Sequence, residues 1–349
     1  MTIDAQEPVL VLRDGTLGRI RLNRPKALNS LTLEMVRTMA AALKDFAEDD
    51  SVGAVLVDGL GERGLSAGGD IRALYNSAKA LDGVAATFFD EEYAMNAFIA
   101  SFPKPYVAFM DGITMGGGVG ISAHGSHRVV TERTRLAMPE TGIGFLPDVG
   151  GTWLLAHLPG EVGTYIGLTG ASISGADAVD IGLADILVQS DGLATIADTL
   201  SAVEPGVTND DISALLGGFA EKPQSALAPN RRVIDRVFAF DEVGEILSSL
   251  EADGSDFAHE TLKVIAHKSP SALVLTLQLL RLGRRSESLR ECLDREYATA
   301  TQMILAHDFQ EGVRAAVIDK DRHPKWQPST VAEVDAPDLL LEYGLSVTA

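Results

Sequence analysis

The run Gly112-Ile113-Thr114-Met115-Gly116-Gly117-Gly118-Val119-Gly120 is followed closely by two carboxylates, Glu140 in Met138-Pro139-Glu140 and Asp148 in Leu146-Pro147-Asp148. Glycines this dense let a backbone pass close to a ligand and aim its N–H groups at one point, which Cβ atoms would obstruct. Such a turn suits an anion. If it also opens a helix, the N-terminal dipole adds positive potential, and a carbonyl oxygen gaining charge in a transition state would be stabilised there. The chemistry implied is acyl transfer or enolate formation. Other catalytic classes are not expected. A serine hydrolase of the α/β type is not expected, no Gly-x-x-x-x-Gly-Lys phosphate loop occurs, and the glycines at 116–120 do not make a dinucleotide fingerprint. His124 and His127 stand three apart without a carboxylate cluster, so core or capping roles are expected and no metal site.

Further segments give these residues a context. Asn23-Arg24-Pro25-Lys26-Ala27-Leu28-Asn29, Ser66-Ala67-Gly68-Gly69-Asp70-Ile71 and Lys104-Pro105 precede the glycine turn in that order. Together with Pro139-Glu140 they resemble the enoyl-CoA hydratase/isomerase (crotonase) superfamily. That resemblance implies an α/β fold, a spiral of ββα units, and an acyl-CoA substrate. By the family pattern Gly117 and Gly69 donate N–H groups to the thioester oxygen, and Ala67 and Ile71 line the adenine pocket. Gly68, Asp70 and Arg72 share that loop, while Arg24 and Lys26 lie in the other. The three basic side chains are the ones expected near the coenzyme A phosphates.

The chain departs from the hydratase pattern where a first catalytic glutamate belongs, two residues past the three glycines, because Gly120 stands there. A two-glutamate hydration is therefore not expected. Glu92 in Asp90-Glu91-Glu92-Tyr93, Glu140, and Asp148 eight positions further on resemble instead the 3-hydroxyisobutyryl-CoA hydrolase branch. So does the tail His307-Asp308-Phe309-Gln310-Glu311-Gly312-Val313-Arg314, continued to Asp321 and Pro324-Lys325-Trp326. The resemblance implies thioester hydrolysis in valine catabolism. Glu140 would be nucleophile or general base, Asp148 would orient the hydroxyl or water, and Glu92 would bind the acyl head. No cofactor is implied beyond the coenzyme A of the substrate. The superfamily often forms trimers and hexamers, so a homo-oligomer stays open. Read without the resemblance, Glu92 could face solvent in its acidic run, Glu140 could be an acidic cap, and Asp148 could cap the helix after it.

Composition bounds the partners, and any polyanionic ligand must find a local basic patch. With 349 residues, 46% of them hydrophobic, the chain can bury a sizeable core. A formal net charge of −20 argues against nucleic acid or an anionic membrane as partner. No apolar stretch approaches the roughly 18–20 residues needed to cross a bilayer. The single cysteine, Cys292, cannot form an intramolecular disulfide and reads as a core residue. Met1 to Pro8 has neither a secretory nor a transit pattern, from which a cytoplasmic enzyme is expected.

The elements that must position the site follow from periodicity. Val9–Leu12 and Gly18–Leu22 flank Asp14-Gly15 as a hairpin. Thr32 caps a helix carrying Leu33, Val36, Met39, Leu43 and Phe46. The apolar run Ala54-Val55-Leu56-Val57 suits a strand covered on both faces. Another helix carries Val84, Phe88, Glu92 and Tyr93. Past about Pro205 the pattern turns helical: 212–219, 233–240, 243–250, 257–266, 272–282 and 289–307. This predicts a spiral core over 1–205 and a helical C-terminal region, 206–349, covering the acyl pocket.

Overall fold

Asp14 and Leu17 face each other across a two-residue loop in which Gly15 takes φ +60, closing the expected hairpin of β1 (Val9–Asp14) and β2 (Leu17–Leu22). The computed structural model describes residues 7–345, so Met1–Gln6, most of the N-terminal stretch just read, lie outside the described residues. Eight further strands follow: β3 (Ala54–Gly59), β4 (Gly64–Ser66), β5 (Tyr106–Met110), β6 (Ile113–Met115), β7 (His127–Thr131), β8 (Arg135–Ala137), β9 (Ile173–Ser174) and β10 (Ile186–Val188). They form a six-stranded sheet in the order β1-β2-β3-β5-β7-β10 and a four-stranded sheet in the order β4-β6-β8-β9. Consecutive pairs β3/β4, β5/β6 and β7/β8 place one strand in each sheet before the chain turns to helix. This is the ββα spiral.

The chain divides into two compact units that interleave along the sequence. The first contains Met1–Gly69, Glu91–Ala137 and Ile173–Ala226; the second contains Asp70–Asp90, Met138–Ser172 and Leu227–Ala349. A single boundary near residue 205 is thus not how the chain divides. In the first unit, β3 and β5 are buried along almost their whole length, as parallel strands with neighbours on both sides require. Leu17, Leu56, Val107, Phe109 and Val129 of the large sheet pack against Ile196 and Leu200 of helix Leu193–Ser201 and Ile212 and Leu216 of helix Asn209–Gly217. Those last two side chains complete the sheet's core, which is why that helix belongs with the strands and not with the helices after it.

The second unit is mostly helical. Helix Pro270–Gly283 is its axis, with Leu273, Leu275, Leu277, Leu279 and Leu280 buried, and it packs against helices Gly151–Ala156 and Val162–Thr169. The predicted helix 289–307 is two: Leu289–Met303, then His307–Val313, because Ala306 leaves the helical region at ψ 157. The break turns Phe309 and Val313 into the core, where both are fully buried. Cys292 is buried, as expected.

Candidate active site

In the first unit the candidate donors are backbone groups. Asn29 sits at φ 52 and is buried; its side chain accepts from the Arg24 N–H at 2.9 Å and donates to the Leu60 and Gly64 carbonyls at 3.1 Å each. The Ser66 hydroxyl donates to the Asn29 carbonyl, the Leu31 N–H to Gly68, and the Ala67 N–H to Leu28. Loops 24–31 and 64–69 are thereby laced together. Parallel pairing of β4 with β6 then brings the second loop beside the glycine turn. A Cβ at Gly68 would stand 3.2 Å from the Met115 carbonyl and 3.3 Å from the Gly117 nitrogen, and Gly68 takes φ +98, a conformation that favours glycine. Gly116 turns the chain at φ +49, and Gly117 opens a one-turn helix, Gly117–Gly120, so that its N–H has no intrahelical acceptor. A Cβ at Gly117 would lie 3.4 Å from the Gly69 nitrogen and 2.6 Å from Glu92 Oε1. The two expected donors are thus neighbours, with a carboxylate against them. Glu92, on helix Val84–Ala100, is 1% exposed, which decides against the solvent-facing reading.

The basic residues expected at the coenzyme differ in freedom. Lys26 is exposed at the end of the turn Pro25–Ala27, whereas the Arg24 guanidinium donates to the Ser30 carbonyl and hydroxyl. Arg63, which the sequence did not single out, donates to the Pro25 and Lys26 carbonyls. In the second unit Asp70 caps helix Ile71–Ala80 by accepting from the Ala73 N–H, Ile71 is half-buried, and Arg72 donates to the Val317 carbonyl at 2.8 Å.

In the second unit the candidate groups are side chains. Glu140 begins the turn Glu140–Ile143 and is 7% exposed; among the described residues its Oε2 has no hydrogen-bond partner. Burial holds this carboxyl well above the usual carboxylate range, the Asp148 charge pushes the same way, and Lys268 opposes. Lys268 Nζ lies 3.4 Å from where a Cβ of Gly142 would be and 3.2 Å from that of Gly170, and burial pulls its own pKa down. The adjoining Ser269 donates its N–H to the Thr141 carbonyl at 3.1 Å and its hydroxyl to Asp308 at 2.5 Å. This gives the tail pattern a structural use: Asp308 also takes the Gln327 N–H, and Phe309 packs at a tilt against Phe145, which stacks on Phe89. Asp148 is 6% exposed. The helix after it is not side-chain capped at its N-cap, Gly150; Glu296 accepts from the Gly150 and Thr152 N–H groups instead.

Lys268 and Glu296 were missed. Glu296 left a signal, an acid on the buried stripe Cys292, Glu296, Thr299, Met303 of its helix. Lys268 lies between helices and left none. Two patterns in the sequence also need the structure to decide them. Gly64-Leu65-Ser66-Ala67-Gly68 fits the spacing of a nucleophile elbow, but the Ser66 hydroxyl is buried, donating to Asn29 and accepting from the Gly68 N–H. Gly59-Leu60-Gly61-Glu62-Arg63-Gly64 fits the dinucleotide spacing, but it runs from β3 into β4, not into a helix N-terminus. His127 is a core histidine, bonded to Ser126, Asn209 and Ser213. Among the described residues no group of three or more metal-ligating side chains occurs, and no helix is long and apolar enough to cross a membrane.

Comparison with known proteins decides the family. The enoyl-CoA hydratase/isomerase family profile matches residues 17–340. The chain belongs to the enoyl-CoA hydratase/isomerase family. Among curated members, the mitochondrial 3-hydroxyisobutyryl-CoA hydrolase of Danio rerio is 43% identical over 342 residues, covering 96% of this chain and 88% of that protein. The Homo sapiens protein of the same name is 42% identical with the same coverage. Among solved members, a carnitinyl-CoA dehydratase from Mycobacterium thermoresistibile matches with a TM-score of 0.91 at 46% identity over 98% of each chain. An enoyl-CoA hydratase from Rhodobacter sphaeroides matches at 0.86 and 41% over 97% of each. The fold is therefore the crotonase fold expected. The cytoplasmic expectation is overturned, since the curated hydrolases are named as mitochondrial. A pattern missing from one short terminal stretch speaks for that stretch and not for a compartment.

Proposed function

We propose that this family member hydrolyses the thioester of 3-hydroxyisobutyryl-CoA, a step of valine breakdown, giving 3-hydroxyisobutyrate and free coenzyme A. The observation that carries this reading is the buried Glu140 with Asp148 and Lys268 in its field, in a chain whose hydratase glutamate position is Gly120. The curated hydrolases named above support it. In this reading the Gly69 and Gly117 N–H groups take the thioester oxygen, and charge developing there is stabilised by preset donors. Glu140, ionised, attacks the carbonyl to give an anhydride that water then opens, or takes a proton from water as that water attacks. Either route expels the coenzyme A thiolate, which gains a proton. Asp148 orients the hydroxyl or the water, and Glu92 hydrogen-bonds the acyl head. Arg24, Lys26 and Arg72, with Ala67, Gly68, Asp70 and Ile71, hold the coenzyme. The steps move protons and an acyl group, so no metal or redox cofactor enters the proposal.

A second reading, hydration or dehydration of an acyl-CoA, is favoured by the names of the two solved relatives. It would have to use Glu140 and Asp148 as its acid pair. Glu140→Gln tests the first reading: thiol release from 3-hydroxyisobutyryl-CoA should fall roughly 100- to 10,000-fold with coenzyme A binding retained. Near-normal turnover would overturn it.

A further inference from the structure

Asp148 stands at the start of a turn that its own residues do not favour. Val149 is β-branched yet sits at φ +55, and Gly150 follows at φ +80, before the helix Gly151–Ala156 begins. A β-branched residue in the left-handed region is an outlier that persists only where the surroundings impose it. What grips this turn comes from 146 residues away. Glu296, fully buried on helix Leu289–Met303, accepts from the Gly150 N–H at 2.7 Å through Oε2, and through Oε1 from the Thr152 N–H at 2.9 Å and its hydroxyl at 2.5 Å. Both carboxylate oxygens are therefore acceptors for one turn of backbone, the donors that an N-cap side chain would ordinarily satisfy.

We infer that Glu296 is a positioning residue for the hydrolysis: it clamps the Val149-Gly150 turn so that the Asp148 carboxylate is held where it acts. The inference rests on the role given above to Asp148. Glutamine cannot replace the clamp, because its amide nitrogen would face either the Gly150 N–H or the Thr152 donors, setting donor against donor.

Thiol release from 3-hydroxyisobutyryl-CoA should be followed for Glu296→Gln, Asp148→Asn, the double variant and Thr152→Val, with thermal unfolding measured on each. Glu296→Gln should lower kcat about 10- to 100-fold with KM within about 2-fold, and should cost less than about 2-fold further in the Asp148→Asn background, since residues acting through one group are not additive. Thr152→Val, losing one of the three bonds, should lower kcat about 2- to 5-fold, and it carries the test if Glu296→Gln does not fold. Wild-type kcat in the Glu296 or Thr152 variant beside an impaired Asp148→Asn overturns the clamp alone. An equal loss with and without Asp148 overturns it too, marking a merely structural role. Wild-type kcat in Asp148→Asn overturns the reading of Asp148 and the clamp with it.

Discussion

The two units hold their candidate groups in different materials. The first offers neutral backbone donors, Gly69 and Gly117, beside a single buried carboxylate, Glu92, and fixed by loops whose hydrogen bonds run through Asn29 and Ser66. The second offers titratable side chains: Glu140, Asp148 and Glu296, all buried, with Lys268 as the cation in Glu140's field. Backbone donors do not titrate and depend on shape, whereas buried carboxylates depend on every charge around them. The first region should therefore fail by steric intrusion and the second by pH and charge.

The largest effect expected from this contrast is at Gly117. A methyl there meets Glu92 Oε1 at 2.6 Å and Leu31 Cδ1 at 3.1 Å, so Gly117→Ala must push the Glu92 carboxylate aside or shift the turn that presents its N–H. The expected loss is that of one oxyanion donor, about 3 to 4 kcal/mol of transition-state stabilisation, read as kcat, with no change in the pH profile. A shifted profile would erase the distinction between the regions.

Charge is tested next. In the proposed mechanism Glu140 must be ionised to attack or to take a proton, and its pKa is raised by burial first and by Asp148 second. Activity should thus rise with pH through a midpoint above 4.5, the ordinary value of this group. Because the Lys268 charge lowers that midpoint, Lys268→Met should move it further up, by kcat/KM measured across pH. A midpoint unmoved would separate Lys268 from the site.

The smallest effect concerns stability. Burial raises Glu296 from 4.5 to about 8. A folded pKa above the unfolded one means the folded protein holds its proton longer, so the contribution of this group to stability is fully present below 4.5 and is lost as pH rises towards 8. Denaturant unfolding should show wild type losing stability relative to Glu296→Gln over that window, and a constant difference would contradict the shift.

What the sequence made legible was what neighbouring residues decide. The hairpin around Gly15, the cap at Thr32 and the buried run of β3 are local and were recovered in place. The glycine loops and the acids Glu92, Glu140 and Asp148 could be named from motifs, although the burial that settles Glu92 appears only in the fold. Lys268 and Glu296 act across long separations, the latter on Gly150 from 146 residues away, and no local pattern encodes such a partner. The division into units was hidden for a related reason: each is assembled from three separated segments, so no change of texture along the chain marks a border.

The most direct test of the central claim, that these two regions serve thioester hydrolysis, is thiol release from 3-hydroxyisobutyryl-CoA measured beside the enoyl absorbance of crotonyl-CoA with the same enzyme. Free coenzyme A from the first and no loss of the enoyl band from the second is the predicted result. Loss of the enoyl band without thiol release from either would contradict the account and make this chain a hydratase with a rearranged acid pair.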